Sequence, residues 1–108
     1  MASFSFLQSE SALASLPADV ERFCVRQGLI AHLSVALDLV ERCFRYNQEP
    51  TLQTEQDPET GEEWVTIGIT VGADAPEFID RYDQYTSEIV VRIPWPQRDK
   101  IRLSYRLV

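Results

Sequence analysis

Residues 64–71 alternate without interruption: Val65, Ile67, Ile69 and Val71 are apolar, and Trp64, Thr66, Gly68 and Thr70 fall between them. A period of two held this long specifies a strand with one face buried and one face open. Such a strand cannot cover its own apolar face, so the rest of the chain must supply a second layer. The sequence after it does so at once. Asp74-Ala75-Pro76-Glu77 reads as a capping box, and Phe78, Tyr82, Tyr85, Ile89 and Ile93 then recur every three or four residues. This predicts a helix over 75–92, stopped by Pro94-Trp95-Pro96. A Trp between two prolines is expected to form a stiff corner with its ring folded over the core. From Lys100 to Val108 the period returns to two, with Ile101, Leu103, Tyr105 and Leu107 on one face and Arg102, Ser104 and Arg106 on the other. Strand, helix, strand is a βαβ unit, whose crossover is right-handed in nearly every known case.

Upstream, Pro50 separates a helical period from a strand period. Thr51 to Gln56 reads as a polar edge strand, joined to the alternating strand by Asp57-Pro58-Glu59-Thr60-Gly61. Pro suits i+1 of a type I turn there, and Gly supplies a positive φ. Before it come two helices. One, near 17–27, starts at Pro17, carries Asp19 and Glu21 at its positive end, stops at Gly28 and buries Val20, Phe23 and Cys24. The other, near 29–45, sets Leu29, Leu33, Ala36, Leu37, Val40 and Phe44 on one stripe, with Asp38–Arg42 and Glu41–Arg45 as i,i+4 pairs outside. Leu33, Leu37, Val40 and Phe44 are expected to pack on Val65, Ile67, Ile69, Ile101, Leu103 and Leu107. Residues 1–14 read equally as an arm, a short helix or a short strand. The expected fold is a single α+β domain over 1–108, a two-layer sandwich of order α-α-β-β-α-β with helices on one face of a three-stranded sheet. A strand near Ser3–Gln8 would convert this to the ferredoxin-like βαββαβ order.

Charge narrows the function classes. The chain carries 10 Lys and Arg against 17 Asp and Glu, a net of −7. Residues 49–91 hold one cation against eleven acids, a net of −10, while residues 92–108 hold five cations against one acid, a net of +4. That polarity orients a partner or a second copy of the chain and argues against a general nucleic-acid binder. The longest aliphatic runs are triplets such as Ile89-Val90-Val91, so no membrane-spanning segment is expected. Met1 to Glu10 lacks the basic and apolar regions of a secretory signal. Two cysteines, Cys24 and Cys43, make no disulfide framework and no metal spacing, which suits a reducing cytoplasm.

No constellation carries chemistry. His32, the single histidine, stands without a nucleophile elbow or a Gly-rich turn and reads as a core-edge residue. Asp57, Glu59, Glu62 and Glu63 miss EF-hand spacing, because Gly falls at the fifth position and another Gly at the twelfth, so they read as a solvated hairpin tip. No metal or cofactor is expected. The open sheet face is richer: by parity it should show Thr51, Gln53 and Glu55, then Trp64, Thr66 and Thr70, then Arg102, Ser104 and Arg106. Trp and Arg are enriched in protein-binding hot spots, and cross-strand Glu55–Arg pairs on a solvated face are the plainer account.

The run Asp57-Pro58-Glu59-Thr60-Gly61-Glu62-Glu63-Trp64, the alternating strand after it, and Pro94-Trp95-Pro96 leading into Arg98-Asp99-Lys100-Ile101-Arg102-Leu103-Ser104-Tyr105 resemble a group of small, uncharacterised bacterial proteins of about this length. The resemblance covers the C-terminal half. It implies a bacterial cytoplasmic origin and brings no catalytic or binding residues with it.

Two expectations of different class follow. The favoured one is a non-enzymatic protein-interaction module, a small adaptor or antitoxin-like inhibitor. It would bind a protein partner or form a homodimer through Trp64, Thr66, Arg102, Ser104 and Arg106 and through the edge of the last strand, with no nucleic acid and no membrane as partner. The alternative is a small enzyme or small-molecule binder with a pocket between sheet and helices, using His32, Tyr82, Asp83 and Tyr85.

Overall fold

The structure, a computed structural model, describes residues 16–44, 49–72 and 74–108. The expected strand near Ser3–Gln8, the arm over 1–14 and the Glu41–Arg45 pair involve residues outside those described. Helix α1 spans Ala18–Gln27 and ends where Gly28 turns left-handed at φ 68°. There Leu29 N–H donates to Cys24 C=O at 2.7 Å and Gly28 N–H to Val25 C=O at 3.3 Å, a Schellman closure that only a residue tolerant of positive φ makes cheaply. Helix α2 follows at once over Ile30–Cys43, its axis turned 119° from that of α1. No single helix among the described residues is long and apolar enough to cross a membrane.

Strand β1 (Thr51–Gln56) and strand β2 (Glu63–Val71) form an antiparallel hairpin, from Thr51 opposite Gly68 to Gln56 opposite Glu63. Asp57 organises its tip. The backbone N–H of Asp57 donates to Glu62 C=O, its C=O accepts from Gly61 N–H, and its carboxylate accepts from Glu59 N–H at 2.8 Å. Gly61 supplies the positive φ that closes the loop. Helix α3 covers Ala75–Arg92, and Asp74 caps it by accepting from Glu77 N–H at 2.9 Å, the first bond of the expected capping box, while the Glu77 carboxylate accepts from Arg81. A short 3₁₀ turn at Gln97–Lys100 delivers the chain into strand β3 (Ile101–Leu107), which pairs parallel with β2 from Val65–Ile101 to Val71–Leu107.

The sheet order is β1-β2-β3, with β2 central and helices supplying the second layer. The expected α+β order holds. The ferredoxin-like alternative does not, because a split βαβ keeps its two parallel strands apart and here β2 and β3 are hydrogen-bonded directly.

Burial follows the sequence periods over most of the chain. Val20, Phe23, Cys24, Leu33, Ala36, Leu37, Val40, Phe44, Val65, Ile67, Ile69, Val71 and Ile101 are buried together. Two expectations fail. Leu107, expected in the core, keeps 39% of its surface, because β3 is an edge strand and Leu107 lines an open groove beside α3 and does not lie under the helix layer. Trp95 stands 70% exposed instead of lying over the core, since Ile93 and not the indole closes the end of α3.

Candidate interaction surface

On the open face of the sheet, strand parity and register bring the five expected residues into adjacent columns. Trp64 lies opposite Glu55, Thr66 opposite Gln53 and Arg102, Gly68 opposite Ser104, and Thr70 opposite Arg106. Glu55 anchors the cluster. Its carboxylate accepts from Trp64 Nε1 at 3.1 Å, from Gln53 Nε2 at 3.4 Å and from the Thr66 hydroxyl. Thr66, a polar side chain only 7% exposed, is thereby fully partnered. The hydrogen bond from Thr66, helped by those from Trp64 and Gln53 and by the Arg102 charge, holds the Glu55 carboxyl below the usual glutamate range, against the opposing effect of burial.

Arg102 lies over the Trp64 ring, its guanidinium carbon 4.0 Å from the centroid. The same guanidinium meets Glu62 at 3.2 Å and Asp99 at 3.6 Å, and Lys100 also reaches Glu62 at 3.7 Å. This cation–π stack is already neutralised by the chain's own acids. The indole face that a base or peptide would need is occupied from within, and the expected Glu55–Arg ion pair is replaced by Glu62 and Asp99. Ser104 and Arg106, further along β3, are exposed and join neither network.

A different surface lies on the helix side of β3. Ala75, Phe78, Ile79 and Tyr82 of α3 and Tyr105 and Leu107 of β3 line an open groove of about 250 Å³. The Phe78 and Tyr105 ring centroids are 4.4 Å apart and those of Tyr82 and Tyr105 5.9 Å, while Phe44 continues the aromatic ladder inward at 5.7 Å from both Phe78 and Tyr85. Ile79, Tyr105 and Tyr82 remain 57%, 51% and 37% exposed. Periodicity put Tyr105 and Leu107 on the apolar face of β3, but it says nothing about where the covering helix lies, so this groove was not legible beforehand.

Helix α3 divides its surface by chemistry. Glu77–Arg81 and Glu88–Arg92 ion pairs lie on one stripe, which Arg81 ties to α2 by donating to Cys43 C=O at 3.1 Å. Ala75, Ile79, Tyr82, Thr86 and Val90, at spacings of three and four, form an uncharged and exposed stripe that begins in the groove. The Thr86 hydroxyl donates to Tyr82 C=O within the helix, so it presents little polarity outward.

The alternative pocket residues do not share the groove. Of His32, Tyr82, Asp83 and Tyr85, Tyr82 alone lines it. Tyr85 is buried against Phe44, and burial pushes its hydroxyl far above the usual tyrosine range, so it serves as core. Asp83 is exposed on α3, and His32 is half-buried near the start of α2. Cys24 and Cys43 are buried free thiols, and burial raises both, Cys24 to about 11. Among the described residues, no three His, Cys, Asp or Glu side chains converge as metal ligands. No protein family model, curated protein or solved structure matches this chain.

Proposed function

We propose that this chain is a non-enzymatic protein-interaction module that works by strand addition: a partner chain extends the sheet at β3 and seats apolar side chains in the groove beside α3. One observation carries the reading. The helix-side residues of β3 pass from buried Ile101 to exposed Tyr105 and Leu107, at a sheet edge with no neighbour among the described residues. An unpaired edge beside an apolar groove combines main-chain affinity with side-chain selectivity, the two components of strand-addition recognition. The opposite edge is unlike it: β1 is polar and ends in an acidic tip. The Trp64 face contributes rigidity, since its residues satisfy one another. Two unreactive buried thiols suit a reducing compartment, and an adaptor or antitoxin-like inhibitor in a bacterial cytoplasm is the setting we assign. A small-molecule role is less well supported, because the groove is open, apolar and below the roughly 300 Å³ at which ligand pockets begin.

The test is site-specific photo-cross-linking in cells that make the protein. A photoreactive phenylalanine analogue at Tyr105 should give protein adducts, and the same analogue at Gln53 on the open face should not. Adducts from Gln53 alone, or none from either site, would refute the reading.

A further inference from the structure

Resting on that reading, we infer that the chain occupying the β3 edge is a second copy of this protein, joined antiparallel about a two-fold axis that passes through Tyr105. The backbone fixes which atoms are available. Val108 N–H donates inward to Val71 C=O at 3.1 Å, and N–H and C=O directions alternate along a strand. Arg102, Ser104 and Arg106 therefore bond toward β2, whereas Leu103, Tyr105 and Leu107 offer theirs outward. A two-fold axis normal to the sheet keeps both helix layers on one side, so odd residues must face odd residues and even must face even.

Charge then selects among the registers that remain. An axis at Ser104 sets Arg102 directly opposite Arg106 of the second copy, twice over. An axis at Leu103 sets Arg106 opposite Lys100. Like charges at directly opposed positions destabilise a strand pair. An axis at Tyr105 avoids both conflicts, since Arg102 then faces Val108 and Ser104 faces Arg106. On the helix side the same register sets Leu103 against Leu107 and Tyr105 against its own copy.

The helices agree with this geometry. Because α3 packs its N-terminal half against the C-terminal end of β3, through Phe78 and Tyr82 on Tyr105, the axis passes near that half. The two α3 helices then run side by side in opposite directions, meeting along the uncharged stripe of Ala75, Ile79, Tyr82 and Thr86. A molecule of net charge −7 repels its copy over most of its surface, whereas the stripe itself carries no charged side chain and has Asp83 only at its border. Pairing here fuses two open grooves into one closed apolar seam and covers Ile79, Tyr82, Tyr105 and Leu107 in both copies.

Cysteine cross-linking tests the register. Ser104→Cys and Arg106→Cys alter exposed side chains on the open face, so the fold is preserved. In the inferred dimer these positions face each other across a pair without mutual hydrogen bonds, about 4.5 Å between Cα atoms and within disulfide range. Mixing the two single variants under mild oxidation should give a disulfide-linked dimer, Ser104→Cys alone should give little, and light scattering of the wild type should report twice its 12.4 kDa. The buried Cys24 and Cys43 do not compete. A wild type that stays monomeric at about 100 μM, or efficient linking of Ser104→Cys to itself, overturns the inference. Adducts at Tyr105 that contain a different protein overturn it while leaving the strand-addition reading standing, and absence of all adducts there removes both.

Discussion

Phe44 is where helix layer, sheet and groove meet, and replacing it by alanine is the most informative single perturbation of this fold. It is 2% exposed, stands just past the end of α2, and packs its ring against both Phe78 and Tyr85 of α3. Truncating a buried Phe costs about 3–5 kcal/mol, more where neighbours cannot collapse into the space. Here they are restrained: Phe78 is held by Tyr105 on the far side, and α3 is fixed to α2 through Arg81. Each aromatic pair adds about 0.5–1.5 kcal/mol to area burial alone. We expect a loss of about 4 kcal/mol, equivalent to a fall in Tm of roughly 20 °C for a domain this size. Urea unfolding followed by circular dichroism should show the midpoint falling with the slope unchanged. Phe44→Leu, which keeps most of the volume, should lose less than half as much. A loss below about 1 kcal/mol for Phe44→Ala would mean the aromatic ladder is not packed as described, and the groove it supports would lose its floor.

Other predictions are more local. Asp74→Ala should cost about 1 kcal/mol by removing the N-cap of α3, whereas Asp83→Ala on the same helix should be near neutral in the same urea assay. Both thiols should resist a disulfide-exchange reagent at pH 8 and react only when the protein unfolds, since burial raises each of them; rapid native-state labelling would contradict their placement. Glu55 is held below its usual 4.5 in the folded chain, so its contribution is fully present above that value and is lost as pH falls through the lowered one. Glu55→Gln should therefore flatten the acid limb of the stability profile, and an unchanged slope would show that its three donors do not favour the charged form. Arg102→Ala should uncover the Trp64 ring and red-shift its fluorescence in a Trp95→Phe background, with little change in helix content.

Much of this architecture was readable because it rests on local periodicity. Alternation at 65–71 and 101–107, the three- and four-residue spacing of Leu33, Leu37 and Val40, the Gly28 stop and the Asp74 cap all act within a few residues. What was not readable depends on where elements lie relative to one another. Parity put Leu107 on the apolar face, but only the placement of α3 decides that it stays uncovered. Two prolines fix the backbone around Trp95 and leave the direction of its ring to tertiary packing, which turns it outward. The Trp64 face was assembled correctly by register, yet Arg102 takes Glu62, 40 residues away in sequence, and not Glu55. That choice turns an apparent binding platform into a closed network, and it moves the candidate site to the other side of the same strand.

The mixed sheet also makes its two pairings unequal to close. Pairing β1 with β2 joins residues separated in sequence by 63 − 56 = 7 at its closest pair, Gln56 and Glu63, whereas pairing β2 with β3 joins residues separated by 101 − 65 = 36, as at Val65 and Ile101. Loop-closure entropy grows as the logarithm of length, so the second closure is costlier by about 1.5 kcal/mol before any contact repays it. Contacts that bridge long stretches of chain form late in folding. Loop closure therefore favours the hairpin over the β2–β3 pairing, which has to span α3. The β3 edge, where we propose that a second chain adds, therefore belongs to the pairing that costs most to close, so the hairpin forms on easier terms than the strand that would recruit a partner.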